Sequence, residues 1–192
     1  MSLRNTRERW GWLAKTFHWV MALLILGLAA VGTYMANFLD DMILQIELTQ
    51  THKSFGFVVF ALAALRLLWR WANPVVPAPP EGQPAWERMA ASATHGALYV
   101  LMFAIPISGW LMSSASPLND VDAYPAQMKN MVFGLFELPD PFQPGDKALT
   151  NRLHAIHAWS VYLLGALLVL HVGGALKHHL VEKDGVLRRM LP

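Results

Sequence analysis

The stretch H-A-W-S-V-Y-L-L-G-A-L-L-V-L-H, residues 157–171, decides the fold that we predict for this chain. It is apolar almost throughout and has a histidine at each end, fourteen residues apart. Fourteen residues of α-helix rise about 21 Å and make nearly four turns, so both imidazoles project from roughly the same face. That rise nearly crosses a hydrocarbon core, which is about 30 Å thick. The stretch therefore predicts a membrane-spanning helix that presents two nitrogen ligands at two depths.

The composition of the whole chain agrees with a membrane protein. Of its 192 residues, 55% are hydrophobic and 15% are charged, whereas soluble domains carry about 25% charged residues. The absence of cysteine excludes disulfides, Cys-ligated iron–sulfur clusters and thiol catalysis within this chain. The net charge is only +2 and the basic residues are scattered, so no nucleic-acid partner is expected. We expect one domain over residues 1–192, because no shift in composition separates two soluble halves.

Four apolar blocks predict an all-α integral membrane four-helix bundle. The predicted spans cover approximately residues 16–36, 52–71, 92–112 and 152–180. The first block also resembles a secretory signal, since it has a basic start, an apolar core and small residues near its end. It is nevertheless long enough to span a membrane, and it contains a histidine. We therefore predict that it is a span.

Two of the connections carry their own predictions. Residues 37–51 are predicted to be a short acidic connection. The longest loop covers residues 113–151, and its centre, residues 128–138, is apolar and aromatic. That centre fits either a short amphipathic helix lying on the membrane or a packed loop, and the sequence leaves both interpretations open.

The basic residues predict an orientation. If the N-terminus is cytoplasmic, four spans return the C-terminus to the same side. Eleven of the fifteen lysines and arginines then lie on the cytoplasmic side, and four lie on the other side. This is the expected positive-inside bias. We expect both termini to be cytoplasmic.

This orientation sorts four histidines into two pairs by depth. His18, at the start of the first span, and His171, near the end of the fourth, lie at the inner level. His52 and His157 open their spans from the outer side. Two pairs of imidazoles from facing helices, at two depths, are what two six-coordinate haems require as axial ligands. We therefore predict the iron ligand pairs His18/His171 and His52/His157.

Histidines at such positions do not always bind haem iron. A single histidine near a membrane boundary is most often an interfacial or hydrogen-bonded residue. A zinc site would bring three or four ligands to one point, which the separation in depth disfavours. His154 lies one turn before His157 and is the alternative ligand from the fourth span. We prefer His157, because its offset keeps it on the same face as His171.

Several motifs resemble those of the bacterial cytochrome b-561 family of diheme membrane proteins. The matching stretches are F-H-W (17–19), H-K-S-F-G (52–56), L-R-L (65–67) with Arg70, H-G (95–96), I-P-I-S-G (105–109), F-G-L (133–135) and nearly all of residues 157–192. The resemblance implies a four-helix bundle in a bacterial inner membrane, two b-type haems and quinone-linked electron transfer. It also implies the same four axial ligands. At least one family member is a superoxide oxidase, which takes electrons from superoxide and reduces ubiquinone.

Five further residues are candidates for supporting roles. Arg66, Arg70 and His95 fall at the inner level and are candidate contacts for a haem propionate or a quinone. A snorkelling arginine or a plain interfacial histidine explains them equally well. Lys53 and Arg152 are the outward cations nearest the outer haem, and they are candidates for attracting an anion such as superoxide. Simple membrane anchoring is the competing interpretation.

The sequence thus predicts a diheme membrane cytochrome, surrounded by lipid, that moves single electrons. The family resemblance implies an enzyme with superoxide as the donor and ubiquinone as the acceptor. The alternative is an electron-transfer subunit that anchors a separate dehydrogenase or hydrogenase. A protein partner is compatible with the first hypothesis but not required by it. A non-redox haem carrier is a third class, and two irons with both axial positions filled disfavour it.

Overall fold

A computed structural model describes residues 2–119 and 129–191 of the chain. Four long helices dominate these residues: α1 (Trp12–Asn37), α2 (Met42–Ala72), α3 (Ala85–Ala115) and α4 (Lys147–Lys177). Each is long and apolar enough to cross a membrane. A 3₁₀ turn, Pro117–Asn119, follows α3, and a π-helical turn, His178–Glu182, extends α4. The predicted all-α membrane fold class is confirmed.

The helices extend beyond the predicted spans, and the largest extension is in α2. Residues 42–51 are helical, so the prediction of a connection over residues 37–51 was wrong for most of its length. The cause is a cap: the Asp41 carboxylate accepts hydrogen bonds from the N–H groups of Ile43 and Leu44, at 2.9 and 3.0 Å. An acidic N-cap satisfies donors that a helix start leaves unpaired. Asp146 caps α4 in the same way through the Leu149 N–H.

The centre of the long loop is a β-hairpin. Strands β1 (Met131–Val132) and β2 (Phe136–Glu137) pair antiparallel. The turn between them contains Phe133 and Gly134, which adopt positive φ values of 49° and 69°. Such values do not occur in a right-handed helix. Of the two interpretations that the sequence left open for residues 128–138, the amphipathic helix is therefore excluded for 129–138, and residue 128 lies outside the described residues.

The contacts divide the chain into two compact units. The first, which we call the termini unit, comprises Met1–Ala22, Leu62–Leu101 and Leu163–Pro192. The second, the hairpin unit, comprises Leu23–Ala61 and Met102–Tyr162. Each of the four helices contributes one segment to each unit. The single domain over residues 1–192 stays a prediction.

Large apolar side chains face outward on the helices. Leu23, Val100 and Val169 are 71%, 65% and 72% exposed, respectively. Exposure of this kind along apolar helices is unfavourable in water but is what lipid contact requires. Small or flexible side chains fill the interior instead, and Ala63 and Met21 are almost fully buried. The described residues therefore fit a protein that is solvated by lipid along its helices.

Candidate functional site

The hairpin unit brings His52 and His157 together. His52 lies on α2 and His157 on α4, and both side chains are half-buried. Their ring centroids are 6.5 Å apart and their planes are inclined at 72°. His154, the alternative ligand, is exposed. The two histidines that the sequence assigns to one pair are thus neighbours in space.

The spacing of these rings fits a shared metal. Bonds of about 2 Å from imidazole nitrogen to metal place the centroids of two opposed ligand rings roughly 6 Å apart. The distance of 6.5 Å between His52 and His157 is close to that value. The pair therefore fits a metal-centred group held between the two rings.

Hydrogen bonds orient the ring of His157. Its Nδ1 atom lies 3.0 Å from the backbone oxygen of Ile105 and 3.1 Å from the Ser108 hydroxyl. Ser108 is buried, and its hydroxyl donates to the same Ile105 oxygen at 2.9 Å. The Nδ1 atom of His157 is then the donor, and the Nε2 lone pair is left for a metal. Metal-binding histidines are oriented by second hydrogen bonds of this kind.

The predicted site residues did not include Ser108 or the Ile105 carbonyl. Both belong to I-P-I-S-G (105–109), which entered the prediction only as a family motif. A serine two residues after a proline within an apolar helix was the available signal. A serine within a helix commonly donates its hydroxyl hydrogen to a backbone oxygen three or four residues earlier, as Ser108 does to Ile105.

Two glycines leave room for the imidazoles of the hairpin unit. A Cβ atom on Gly32 of α1 would lie 3.2 Å from Cε1 of His52. A Cβ atom on Gly109 of α3 would lie 3.2 Å from Cε1 and 3.4 Å from Nδ1 of His157. Both separations are tighter than ordinary van der Waals contact between carbon atoms. The absence of a side chain at these positions allows α1 and α3 to approach the rings.

The termini unit brings His18 and His171 together. Their ring centroids are 6.0 Å apart, at an interplanar angle of 52°. His95 of α3 lies nearer still to His171, at 5.1 Å between centroids, in an edge-on contact. All three imidazoles therefore lie in one cluster. The distance of 6.0 Å fits a pair that shares a metal, as it does in the hairpin unit.

The two predicted arginines lie beside this cluster. Arg66 is half-buried, and one of its guanidinium nitrogens is 3.4 Å from Nδ1 of His18. The guanidinium carbons of Arg66 and Arg70 lie 5.6 and 5.7 Å from the centroid of the Tyr99 ring. This distance is typical of a cation–π interaction. Two positive charges are thus held next to the imidazoles, where an anionic group of a cofactor can pair with them.

The cations predicted for the hairpin unit have different surroundings. The ammonium group of Lys53 donates to the backbone oxygen of Lys129, at 2.9 Å, and to the Ser113 hydroxyl, at 3.2 Å. Arg152 is exposed on α4. The structure therefore leaves Arg152 accessible and holds Lys53 against the loop.

The residues that follow His52 fasten the hairpin to α2. The Ser54 side chain is buried, and its hydroxyl accepts a hydrogen bond from the Phe133 N–H at 2.9 Å. The rings of Phe55 and Phe133 meet edge to face, with their centroids 5.2 Å apart. H-K-S-F-G (52–56) thus supplies a candidate ligand and the anchor for the adjacent loop. This second role was not predicted, because the hairpin contacts are distant in sequence.

A separate cluster lies at the end of α4. Ligand atoms of Glu87, His178 and Glu182 lie within 4.8 Å of one another, and no other group of this kind occurs within residues 2–119 and 129–191. The ammonium group of Lys177 already pairs with Glu87 at 2.6 Å and with Glu182 at 2.8 Å. One internal cation therefore bridges both carboxylates, and Glu182 also contacts His178, so ion pairing explains the cluster.

Asp184 lies outside the spans and also contacts His178, at 2.6 Å. Burial alone would raise the pKa of the Asp184 carboxyl, but hydrogen bonds from the Val186 N–H and from His178 hold that pKa below its ordinary value. The carboxylate therefore stays charged in neutral solution. The backbone N–H of Asp184 donates to the His178 oxygen at 3.1 Å, next to the left-handed residue Lys183 at which the π-helical turn ends.

Comparison with known proteins agrees with the long apolar helices. A family model described as Prokaryotic cytochrome b561 matches residues 9–192. This chain belongs to that family. Membership implies a b-type haem and membrane electron transfer, in a bacterial membrane. The predicted family resemblance is confirmed.

Three relatives show how the chain compares with individual proteins of known name. It is 36% identical to Cytochrome b561 homolog 2 of Escherichia coli, over all of this chain and 95% of the relative. It is 29% identical to Cytochrome b561 homolog 1 of the same organism, over 91% of this chain and 92% of the relative. It is 27% identical to the Probable superoxide oxidase CybB of Yersinia pestis, over 91% of each chain.

Proposed function

We propose that this protein binds two b-type haems and transfers electrons from superoxide to ubiquinone in the bacterial inner membrane. The observation that supports this most strongly is the presence of two imidazole pairs, His52/His157 and His18/His171, at 6.5 and 6.0 Å. Bound haem supplies one-electron redox chemistry. The proposed roles of the four histidines are to hold the two irons and to fill both axial positions of each.

The surrounding residues have proposed roles in holding the cofactors. Contacts with Ile105 and Ser108 engage Nδ1 of His157, so that Nε2 would be available to hold the haem iron. Arg66, Arg70 and His95 are the proposed partners of the propionates in the termini unit, since their donors lie beside His18 and His171. A quinone oxygen is the other ligand that these donors suit. Charge pairing of this kind stabilises an anionic group in an apolar setting.

Helix α4 supports a route for electrons between the two pairs. It carries one histidine of each pair, His157 and His171, and it has no break between them. The orientation that we propose places both termini in the cytoplasm, because eleven of the fifteen basic residues then lie on that side. His52 and His157 then belong to the outer side, where superoxide formed outside the cytoplasm would arrive.

The proposed overall reaction is balanced in electrons and protons. Two superoxide anions each lose one electron and leave as dioxygen. One ubiquinone gains these two electrons and two protons and becomes ubiquinol. Lys53 and Arg152 have the proposed role of attracting the superoxide anion electrostatically. The name of the Yersinia pestis relative supports superoxide as the donor, at 27% identity.

A second candidate function is compatible with the other relatives. The two Escherichia coli proteins, at 36% and 29% identity, are more similar to this chain, and their names specify no substrate. The corresponding role is an electron-transfer subunit that anchors a separate dehydrogenase or hydrogenase. In that role, electrons would arrive from a protein partner instead of from superoxide.

Rapid mixing with superoxide separates the two candidates. The purified holoprotein in nanodiscs is mixed with superoxide, and haem reduction and ubiquinol formation are followed by absorbance. We expect superoxide to reduce the haems within the dead time of mixing or shortly after it. Superoxide dismutase should suppress this haem reduction, and the amount of ubiquinol formed should be proportional to the superoxide consumed. The Lys53→Gln/Arg152→Gln variant should react more slowly, and more so at low ionic strength. An Arg4→Gln/Lys183→Gln variant is the control for net charge.

Two results would overturn the proposal. One is a holoprotein with both haems that superoxide does not reduce. The other is co-purification of a stoichiometric dehydrogenase that reduces the haems, which would favour the anchoring subunit. If haem reduction slows equally in the control variant, the effect is one of net charge, and Lys53 and Arg152 have no specific role in attracting superoxide.

A further inference from the structure

A basic cavity lies in the termini unit, outside the histidine cluster. Its volume is about 300 Å³, and it is lined by Glu8, Arg9, Lys15, Gly185, Arg188 and Arg189. Four of these side chains are cationic and one is anionic, so the lining carries a net charge of 4 − 1 = +3. The volume is at the lower end of the range for small-ligand sites, about 300–1,000 Å³.

The positive charge of this cavity is only partly offset within the part of the chain that the structure describes, by Glu8 in the lining and by the Asp184 carboxylate, which interacts electrostatically with Arg189. Lys15 and Arg189 donate to the backbone oxygens of Leu191 and Ala78, which carry no formal charge. Arg9 and Arg188 form no ion pair with any carboxylate among the described residues. Glu8 accepts from the Thr6 hydroxyl instead. The cavity is thus electrostatically complementary to an anion.

The position of the cavity favours a lipid over a soluble ligand. Lys15 lies in the first turn of α1, which begins at Trp12 and is long and apolar enough to span a membrane. The indole N–H of Trp19 donates to the backbone oxygen of Met190, at 2.9 Å, and so ties the C-terminal segment to this end of α1. Trp12, the first residue of α1, is of the residue type enriched in the headgroup region. A cavity at the start of a spanning helix is expected near the level of the lipid phosphates.

We infer that this cavity binds the headgroup of an anionic phospholipid, with Arg9 and Arg188 as the ligands of its phosphate. A guanidinium group donates two parallel hydrogen bonds to phosphate oxygens, which suits it to this task better than an ammonium group. Lys15 and Arg189 add charge and also hold the C-terminal segment in place. This inference does not depend on the electron donor or on the haem stoichiometry.

Lipid retention tests the site. The holoprotein is purified in detergent and titrated with phosphatidylglycerol or phosphatidylcholine, and bound lipid is counted by native mass spectrometry. We expect one phosphatidylglycerol to be retained preferentially. Arg9→Gln/Arg188→Gln should weaken its binding by roughly thirtyfold, if each charge contributes as basic residues do at an anionic membrane surface. The haem spectrum serves as a check that each variant is folded.

The matched control removes the same charge from outside the cavity. Arg4→Gln/Arg7→Gln neutralises two exposed arginines of the same N-terminal segment, neither of which lines the cavity. It should retain phosphatidylglycerol like the unmodified protein. Equal loss in both variants would show only general attraction to anionic lipid and would overturn the site. Equal retention of phosphatidylglycerol and phosphatidylcholine would also overturn it. Displacement of the bound lipid by millimolar inorganic phosphate would overturn it in favour of a soluble anion.

Discussion

The Nδ1 atom of His157 lies 3.0 Å from the backbone oxygen of Ile105, and this contact determines which ring nitrogen is free for a metal. Ser108 supports the arrangement, because its hydroxyl reaches both the Ile105 oxygen and the His157 ring. Helix α3 thus orients a candidate ligand that α4 carries. The helices therefore supply hydrogen bonds that orient an imidazole, in addition to apolar packing around it.

Ser108→Ala tests this orientation. We expect the haem of the His52/His157 pair to bind up to about tenfold more weakly, because loss of an orienting contact to a metal-binding histidine costs tenfold or more and Ile105 remains as a partner. Haem titration of the apoprotein measures the change. Ser160→Ala is the control, since it removes a hydroxyl from α4 that has no hydrogen-bond partner among the described residues. Equal affinities in the two variants would contradict a role for Ser108.

Gly109→Ala tests the close approach of α3 to His157. The new methyl group would lie 3.2 Å from the ring, so the imidazole must shift by a few tenths of an ångström. We expect lower haem occupancy and a lower melting temperature. Gly173→Ala is the control, because it is exposed and has nothing within 4 Å of the added carbon. Helix propensity alone would stabilise both variants by up to about 1 kcal/mol, so a more stable Gly109→Ala protein would contradict a close contact at this position.

Arg66→Gln tests the charge beside His18. A positive charge disfavours the oxidised, more positive state of a nearby haem, so its removal should lower the midpoint potential of one haem. At a separation of about 10 Å and an effective dielectric constant near 20, the interaction is about 2 kcal/mol, which corresponds to tens of millivolts. Spectroelectrochemical titration measures this shift. Arg66→Lys should retain most of the potential, and an unchanged potential in Arg66→Gln would place that guanidinium away from the haem.

Ser54→Ala tests the attachment of the hairpin to α2. The substitution leaves the Phe133 N–H without its partner, and a buried unpaired donor costs about 1–3 kcal/mol. We expect faster proteolysis and hydrogen exchange within residues 129–138, with little change in haem content. Ser92→Ala, at an exposed position of α3, is the control. Protection of the hairpin to the same degree in both proteins would show that Phe55 and Lys53 hold it without Ser54.

The sequence was sufficient to predict the helices and the proximity of the histidines. Long apolar blocks identify membrane-spanning helices, because in lipid only a helix forms all the backbone hydrogen bonds of a single segment within that segment. Pairing by depth then brought His18 next to His171 and His52 next to His157, as the structure has them. Depth does not separate His95 from His18, since both lie at the same level. The contact of His95 with His171 follows from the rotation of α3, which hydrophobicity along the sequence does not specify.

Features outside the lipid-facing stretches were harder to predict. Residues 42–51 are helical because Asp41 caps the helix, and apolar periodicity indicates burial without marking where a helix ends. The hairpin depends on positive φ values at Phe133 and Gly134 and on contacts with Ser54, far away in sequence. The basic cavity requires the Trp19 side chain to hold the backbone of Met190. Such side chain to backbone contacts leave little trace in a single sequence.

The central claim is that each unit holds one haem between one pair of histidines, and haem stoichiometry tests it most directly. Haem per chain is measured in the unmodified protein and in His18→Ala, His52→Ala, His157→Ala and His171→Ala, together with the reduced spectrum. We predict two low-spin haems in the unmodified protein and in the exposed His154→Ala control, and the loss or destabilisation of one haem in each of the four variants. One haem in the unmodified protein, or two low-spin haems retained in any of the four variants, would contradict the claim. If His18→Ala retains both haems and His95→Ala loses one, then His95, and not His18, is the partner of His171 in binding iron.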